Sequence, residues 1–213
     1  TAKEISFGID VPSLILSKAV KIDQIYLSDA FINVKVNSNG EANYNVYKSS
    51  ETTKTGDSTE TALKLERIQI LNSKIKYDDQ STKMLLDISG FDYLGKGDLN
   101  KAVFDLYSKA KIEKLNIIYE NEPYLMNKKV NANLITKVNI NSLSFFFQQN
   151  NLKINDLLVD FIGKFDILKE GYNMDFVVKS NNSDLHNVFT ALPPKYITWL
   201  SKTNLKGNTN LQL

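Results

Sequence analysis

Lys21-Ile22-Asp23-Gln24-Ile25-Tyr26-Leu27-Ser28-Asp29-Ala30-Phe31-Ile32-Asn33-Val34, followed by Asn39-Gly40-Glu41-Ala42-Asn43-Tyr44, is the stretch from which the fold can be read. Its apolar residues recur at every second position, the period of a strand with one buried face. The phase slips by one residue after Ile22, resumes at Ile25 and Leu27, and returns as Ile32, Val34 and Val36 beyond a break at Ser28-Asp29. The slip predicts a bulge, or a turn between two paired strands. Asn37-Ser38-Asn39-Gly40 predicts a hairpin with a type I′ turn, because Asn-Gly accepts positive φ, and a further strand through Tyr44 and Val46.

The same phrase returns as Lys64-Leu65-Glu66-Arg67-Ile68-Gln69-Ile70-Leu71-Asn72-Ser73-Lys74-Ile75-Lys76-Tyr77. Ile25, Leu27, Asp29, Ile32 and Val34 align with Ile68, Ile70, Asn72, Ile75 and Tyr77, which marks an internal repeat. Upstream, residues 4–9 alternate like a half-buried strand, and Val11-Pro12-Ser13-Leu14-Ile15-Leu16 suits a helical turn. Residues 48–60 are rich in Ser, Thr, Lys and Glu and read as a flexible loop. Asp78-Asp79-Gln80-Ser81 reads as a solvated hairpin tip, Met84 to Ile88 as the returning strand, and Gly95-Lys96-Gly97-Asp98 as its end. Strands follow near 102–110, 112–119, 129–140, 142–149, 152–168 and 172–179, with Gln149-Asn150-Asn151 as one of the turns. Residues 183–192 read as a short helix capped by Ser183 or Asp184 and stopped by Pro193-Pro194. A last strand begins near Leu205.

The expected class is therefore mainly β, a long, strongly twisted antiparallel sheet forming a groove or half-barrel, with one or two short helices. Residues 1–213 read as a single unit, divided into a strand-helix-hairpin segment (1–47), the loop (48–60) and an antiparallel meander (61–213).

Composition narrows the function. With Lys+Arg 26 against Asp+Glu 24 the net charge is +2, and Arg67 is the only arginine. Nucleic-acid readers gather arginine for bidentate phosphate and base contacts, so nucleic acid is not an expected partner. There is no cysteine, which excludes disulfides, thiolate nucleophiles and cysteine metal sites. No run is long and apolar enough to span a bilayer as a helix. The single histidine, His186, falls in the short helix with no triad or metal signature around it. Neither Gly95-Lys96-Gly97-Asp98 nor Asp78-Asp79 has the spacing of a phosphate loop, a calcium loop or a glycosidase pair. The expectation is no enzyme activity, no catalytic residue, no metal and no cofactor.

The positive signal is apolar. Leu143, Phe145 and Phe147 share one strand face, Val159, Phe161, Phe165 and Ile167 share one on the next, and Phe176 and Val178 continue the series. An ordinary core explains such spacing, but the chain writes little helix to cover so much sheet. The apolar face must close on itself, on another subunit or on an apolar ligand.

Ser17-Lys18-Ala19-Val20-Lys21-Ile22-Asp23-Gln24-Ile25, Ile32-Asn33-Val34 and the Gly40-Glu41-Ala42-Asn43-Tyr44 turn resemble the N-terminal block of the AsmA-like family. Gly163-Lys164-Phe165-Asp166-Ile167, the Gly171 to Phe176 hairpin, the helix at 183–192 and Pro193 are similar to a segment nearer that family's next repeat. The resemblance implies a periplasmic β-groove of a Gram-negative envelope protein, related to bridge-like lipid-transfer proteins and anchored to the inner membrane by parts outside these residues. It implies phospholipid acyl chains as partners, carried toward the outer membrane, with Phe145, Phe147, Phe161, Phe165, Phe176 and Val178 as the expected lipid-binding residues. The alternative is an envelope-assembly scaffold that binds a protein partner through a sheet edge without lipid. A carbohydrate-binding β-domain would need exposed aromatic platforms instead.

Overall fold

The structure is a computed structural model and describes residues 1–12, 15, 22–44, 63–99, 101–168, 171–200 and 205–212. The strands are β1 (Glu4–Ile9), β2 (Ile22–Ser28), β3 (Phe31–Val36), β4 (Leu63–Asp79), β5 (Met84–Lys96) and β6 (Val103–Tyr119). They continue as β7 (Glu122–Asn139), β8 (Ser144–Ile154), β9 (Leu157–Ile167), β10 (Tyr172–Asp184) and β11 (Asn208–Gln212). Between the last two lie helices α1 (Leu185–Ala191) and α2 (Pro194–Leu200). Among the described residues the strands form one 11-stranded sheet in the order β1-β2-β4-β5-β6-β7-β8-β9-β10-β11, with β3 also on β4. The end strands β1 and β11 do not pair with each other, so the sheet is open. The mainly-β class therefore holds.

From β4 to β11 every neighbour is antiparallel, but β2 and β3 both run parallel to β4, which makes the sheet mixed. The repeat explains this. Ile25 pairs with Ile68, Leu27 with Ile70, Ile32 with Ile75 and Val34 with Tyr77, the very residues that align in the two copies of the phrase. The copies lie side by side in the alignment register, as one interrupted strand against one long one. The interruption is shared as well. Asp29 and Asn72 take positive φ of 46° and 42°, and Ala30 N–H donates to Ser73 Oγ at 3.0 Å while Asp29 N–H donates to the Leu71 carbonyl at 3.0 Å. The break at Ser28-Asp29 is thus a matched kink in two neighbouring strands, and not a hairpin between paired ones.

Four other expectations change. At Asn37-Ser38-Asn39-Gly40 only Gly40 has positive φ (81°), and the Asn37 side chain accepts from the N–H groups of Asn39 and Glu41, so the turn is not type I′. A single bridge, Val36 to Ala42, stands where a strand was expected, Tyr44 is in a turn, and Val46 lies outside the described residues. The strands expected near 102–110 and 112–119 are one bulged strand, β6 (Val103–Tyr119). Gln149-Asn150-Asn151 is inside β8, where Asn150 accepts from Phe161 N–H (2.9 Å) and donates to the Phe161 carbonyl across a register shift. The turn falls at Asn155 instead, with φ 51°. The loop at 48–60, and most of the helical turn near Val11, lie outside the described residues.

Alternation sorts the side chains of the whole sheet. The registers put Ile25, Leu27, Ile32 and Val34 on one face with Ile68, Ile70, Ile75, Ile88, Ile112, Val130, Val138 and Val159. The opposite face sets unlike charges directly across from one another: Lys76 and Asp87, Asp92 and Lys111, Asp105 and Lys137, Lys164 and Asp175, Asp160 and Lys179. A slip of one residue would exchange the faces and oppose these charges to apolar side chains, so both patterns enforce one register.

Candidate functional site: an aromatic basin on the apolar face

The apolar face is covered at one end. Val188 of α1 packs on Leu157 and Val159, with Leu152, Val178 and Ala191 around them, and this is a fully buried cluster. Asp184 caps α1 as expected, its carboxylate accepting from His186 N–H, while His186 itself is an exposed helix residue. Pro194 opens α2 at the position where a proline's missing N–H costs nothing, so Pro193-Pro194 both stops one helix and starts another.

Beyond α1 the predicted residues come together. Phe147 stands 5.2 Å from Phe161 and 5.7 Å from Phe176, Phe161 stands 5.9 Å from Phe176, and Phe145 stands 6.2 Å from Phe165, all between ring centroids. These five rings are half-buried. Val178 is on the same face, directly opposite Phe161, and packs against the buried cluster beneath α1. Leu143 is in the turn before β8 rather than on the strand, with φ 50°. Gly163 lies in register between Phe147 and Phe176, and a Cβ there would meet the Asp175 carbonyl oxygen at 2.2 Å and the Phe176 ring at 2.5 Å. The absent side chain is what lets the rings converge over β9.

Sequence reasoning did not find the residues at the far margin of the basin. Tyr172 stacks on Phe165 at 5.5 Å. Tyr77 is on β4 and Tyr172 on β10, six steps apart in the strand order, and the curl of the sheet over its apolar face brings Tyr172 near enough to influence the Tyr77 hydroxyl. Strand twist accumulating over that many neighbours supplies the curl. Burial first, then the nearby Tyr172 and the bond to Asp79, push the Tyr77 hydroxyl well above its ordinary range. Asp79 accepts from Tyr77 (3.0 Å), from Ser81 N–H and Oγ, and from Thr82 N–H. Burial raises its pKa, but these donors outweigh burial and leave it below its ordinary value. Only 4% of Asp79 is exposed, so the expected solvated tip is half wrong.

Two further charged groups frame the site. Lys128 is 4% exposed, its ammonium donates to the Thr190 carbonyl at the end of α1, and desolvation lowers its pKa. Asn155 donates to the same carbonyl at 2.8 Å. Lys195 of α2 pairs with Glu122 at 3.0 Å, which raises its pKa. Together they pin the helices to β7 and β8.

The margins of the apolar face stay open to solvent: Ile5, Phe7 and Ile9 of β1 are 58%, 57% and 47% exposed, and Met174 of β10 is 64% exposed. Hollows of about 330 and 370 Å³ lie between strands where Leu94, Lys109 and Asn133 meet on the polar face. They are shallow and mix Lys and Asn with aliphatic side chains, with Tyr107, 55% exposed, lining the first and Tyr93 the second. Among the described residues, no three or more His, Cys, Asp or Glu are placed to hold a metal ion, and no helix is long and apolar enough to cross a membrane. Comparison with protein-family models, curated proteins and solved structures finds no match to this chain.

Proposed function

We propose that the chain is a lipid-binding segment of an AsmA-like envelope protein, non-enzymatic and periplasmic, whose apolar sheet face receives phospholipid acyl chains while the charged face stays in water. One observation carries the reading. The apolar face runs from β1 to β10, its buried Asp79 held by Ser81 and Thr82 and its buried Lys128 by the Thr190 carbonyl, and α1 covers its end at Leu157 and Val159. Each buried methylene contributes about 0.8 kcal/mol, so a face of this kind retains an acyl tail without any specific polar contact. Headgroups then remain hydrated at the margins.

The expected partner in transport is a membrane engaged through parts of the full-length protein outside these residues. A second reading has its own observation: among the described residues β1 pairs only with β2, and it carries exposed Ile5, Phe7 and Ile9, an edge suited to adding a strand from a protein partner. Native mass spectrometry of the purified chain, followed by organic extraction, separates them. Stoichiometric lipid supports the groove. A chain that stays apo after incubation with phospholipid vesicles rejects it in favour of the edge.

A further inference from the structure

On the polar face, Lys76, Lys111, Lys137, Lys164 and Lys179 each lie directly across from a carboxylate. In two adjacent cross-strand rows this pairing stops. One row runs Gln24, Arg67, Lys96, Tyr107 and Ile135 from β2 to β7. The next runs Gln69, Leu94, Lys109, Asn133 and Asn151 from β4 to β8. Arg67 therefore faces Lys96, an opposition of like charges that a sheet does not favour, and Lys109 lies between a leucine and an asparagine. Among the described residues neither Lys96 nor Lys109 makes an ion pair.

These rows form the hollow of about 330 Å³, which Lys96, Lys109, Tyr107, Asn133 and Asn151 line together with the half-buried Leu94. Among the described residues no carboxylate lines it. The adjoining hollow shares Lys96 and Tyr107 but sets Arg67 among Asp23, Glu66 and Asp98, so the excess positive charge falls toward Lys109. On the other side the hollow of about 370 Å³ shares Leu94, Lys109 and Asn133, so the depression continues across strands about 4.8 Å apart.

The lining has the chemistry of an elongated acidic sugar chain. Amides both donate and accept, as sugar hydroxyls do, whereas a bare anion only accepts and would leave the carbonyls of Asn133 and Asn151 unused. The Tyr107 ring, 55% exposed, offers a flat apolar surface to the C–H face of a sugar. Lys96 and Lys109 supply point charges on flexible stems for carboxylates spaced along a chain. Nucleic acid stacks on several platforms and is held by arginine, and this hollow has one ring and no arginine.

We propose that the polar face binds an acidic polysaccharide across β5 to β8, with carboxylates at Lys96 and Lys109, hydroxyls at Asn133 and Asn151 and one sugar ring on Tyr107. The site is on the opposite face from the aromatic basin and does not depend on lipid binding.

Fluorescence anisotropy of fluorescein-labelled hexagalacturonate, titrated with the purified chain, tests this. Saturable binding is expected, with cellohexaose, neutral and equally long, competing far less well than unlabelled hexagalacturonate. Lys109→Gln weakens binding about tenfold, the worth of one charge-assisted hydrogen bond. Lys179→Gln, the same loss of charge at a paired position on β10, leaves it unchanged. Tyr107→Ala weakens it, while Tyr107→Phe keeps the ring and the affinity. All three positions are exposed, so these variants fold, which circular dichroism checks. Absence of binding, or equal losses in Lys109→Gln and Lys179→Gln, overturns the site. Cellohexaose competing as well as hexagalacturonate overturns the role of the carboxylates. Displacement by polyuridylate or by phosphatidylglycerol vesicles at lower concentration than by hexagalacturonate overturns the glycan in favour of nucleic acid or a membrane.

Discussion

Replacing Phe161 by aspartate distinguishes an open trough from a closed core, because the two predict different energies. The ring is half-buried, so removing it forfeits about half of the roughly 1.5–3 kcal/mol that full burial of a phenylalanine contributes. Its contacts with Phe147 at 5.2 Å and Phe176 at 5.9 Å add about 0.5–1.5 kcal/mol each. In a trough the new carboxylate reaches water and suffers little desolvation, giving a total near 2–4 kcal/mol. A domain with a typical stability of about 5–15 kcal/mol survives this. In a dry core the unpaired charge adds several kcal/mol more and the fold is lost. Urea denaturation followed by far-ultraviolet circular dichroism reads the difference, and the folded variant is then assayed for retained lipid. A cooperative transition at lower urea, with lipid lost, is expected. Absence of any cooperative transition in Phe161→Asp, while Phe161→Leu unfolds normally, would refute the open trough.

Other predictions follow from single contacts. Gly163→Ala drives a Cβ into the Asp175 carbonyl and should cost about 1–3 kcal/mol in chemical denaturation; a neutral result would contradict the close approach over β9. Asp79 has a lowered pKa in the folded chain, so its contribution is present above the ordinary carboxylate value and disappears as pH falls through the lowered one. Melting temperature should therefore fall more steeply in acid for the parent protein than for Asp79→Asn, and parallel acid limbs would count against the hydrogen-bond assignment. Lys128→Met removes a desolvated ammonium while Asn155 still serves the Thr190 carbonyl, so stability at neutral pH should be unchanged or higher by about 1–2 kcal/mol. A loss larger than 1 kcal/mol in urea titration would show that the ammonium–carbonyl bond outweighs desolvation.

Much of this was legible in the residues, for a physical reason. Alternation reports which face a side chain takes, and β9 keeps an unbroken period from Leu157 to Phe165, so the five phenylalanines could be placed together without knowing their partners. The repeat was legible as a pattern, but alternation does not say which strand lies beside which. Only pairing revealed that Asp29 and Asn72 kink side by side in parallel strands. Polar runs misled at Gln149-Asn150-Asn151, since Asn150 satisfies main-chain groups of β9 inside the sheet and looks like a turn residue from its type alone. Asp79 misled for a similar reason, with its donors supplied by the turn that follows it. The influence of Tyr172 on Tyr77 left no local trace, because it depends on curl accumulated over six strand-to-strand steps.

The most direct test of the central claim is diffraction from crystals grown with a brominated fatty acid, using the anomalous signal of bromine to place the chain. The account predicts bromine peaks over the apolar face between α1 and Tyr172, above Phe147, Phe161 and Phe176. Peaks confined to the polar face, or an apolar face that stays free of bromine at saturating ligand, would contradict it.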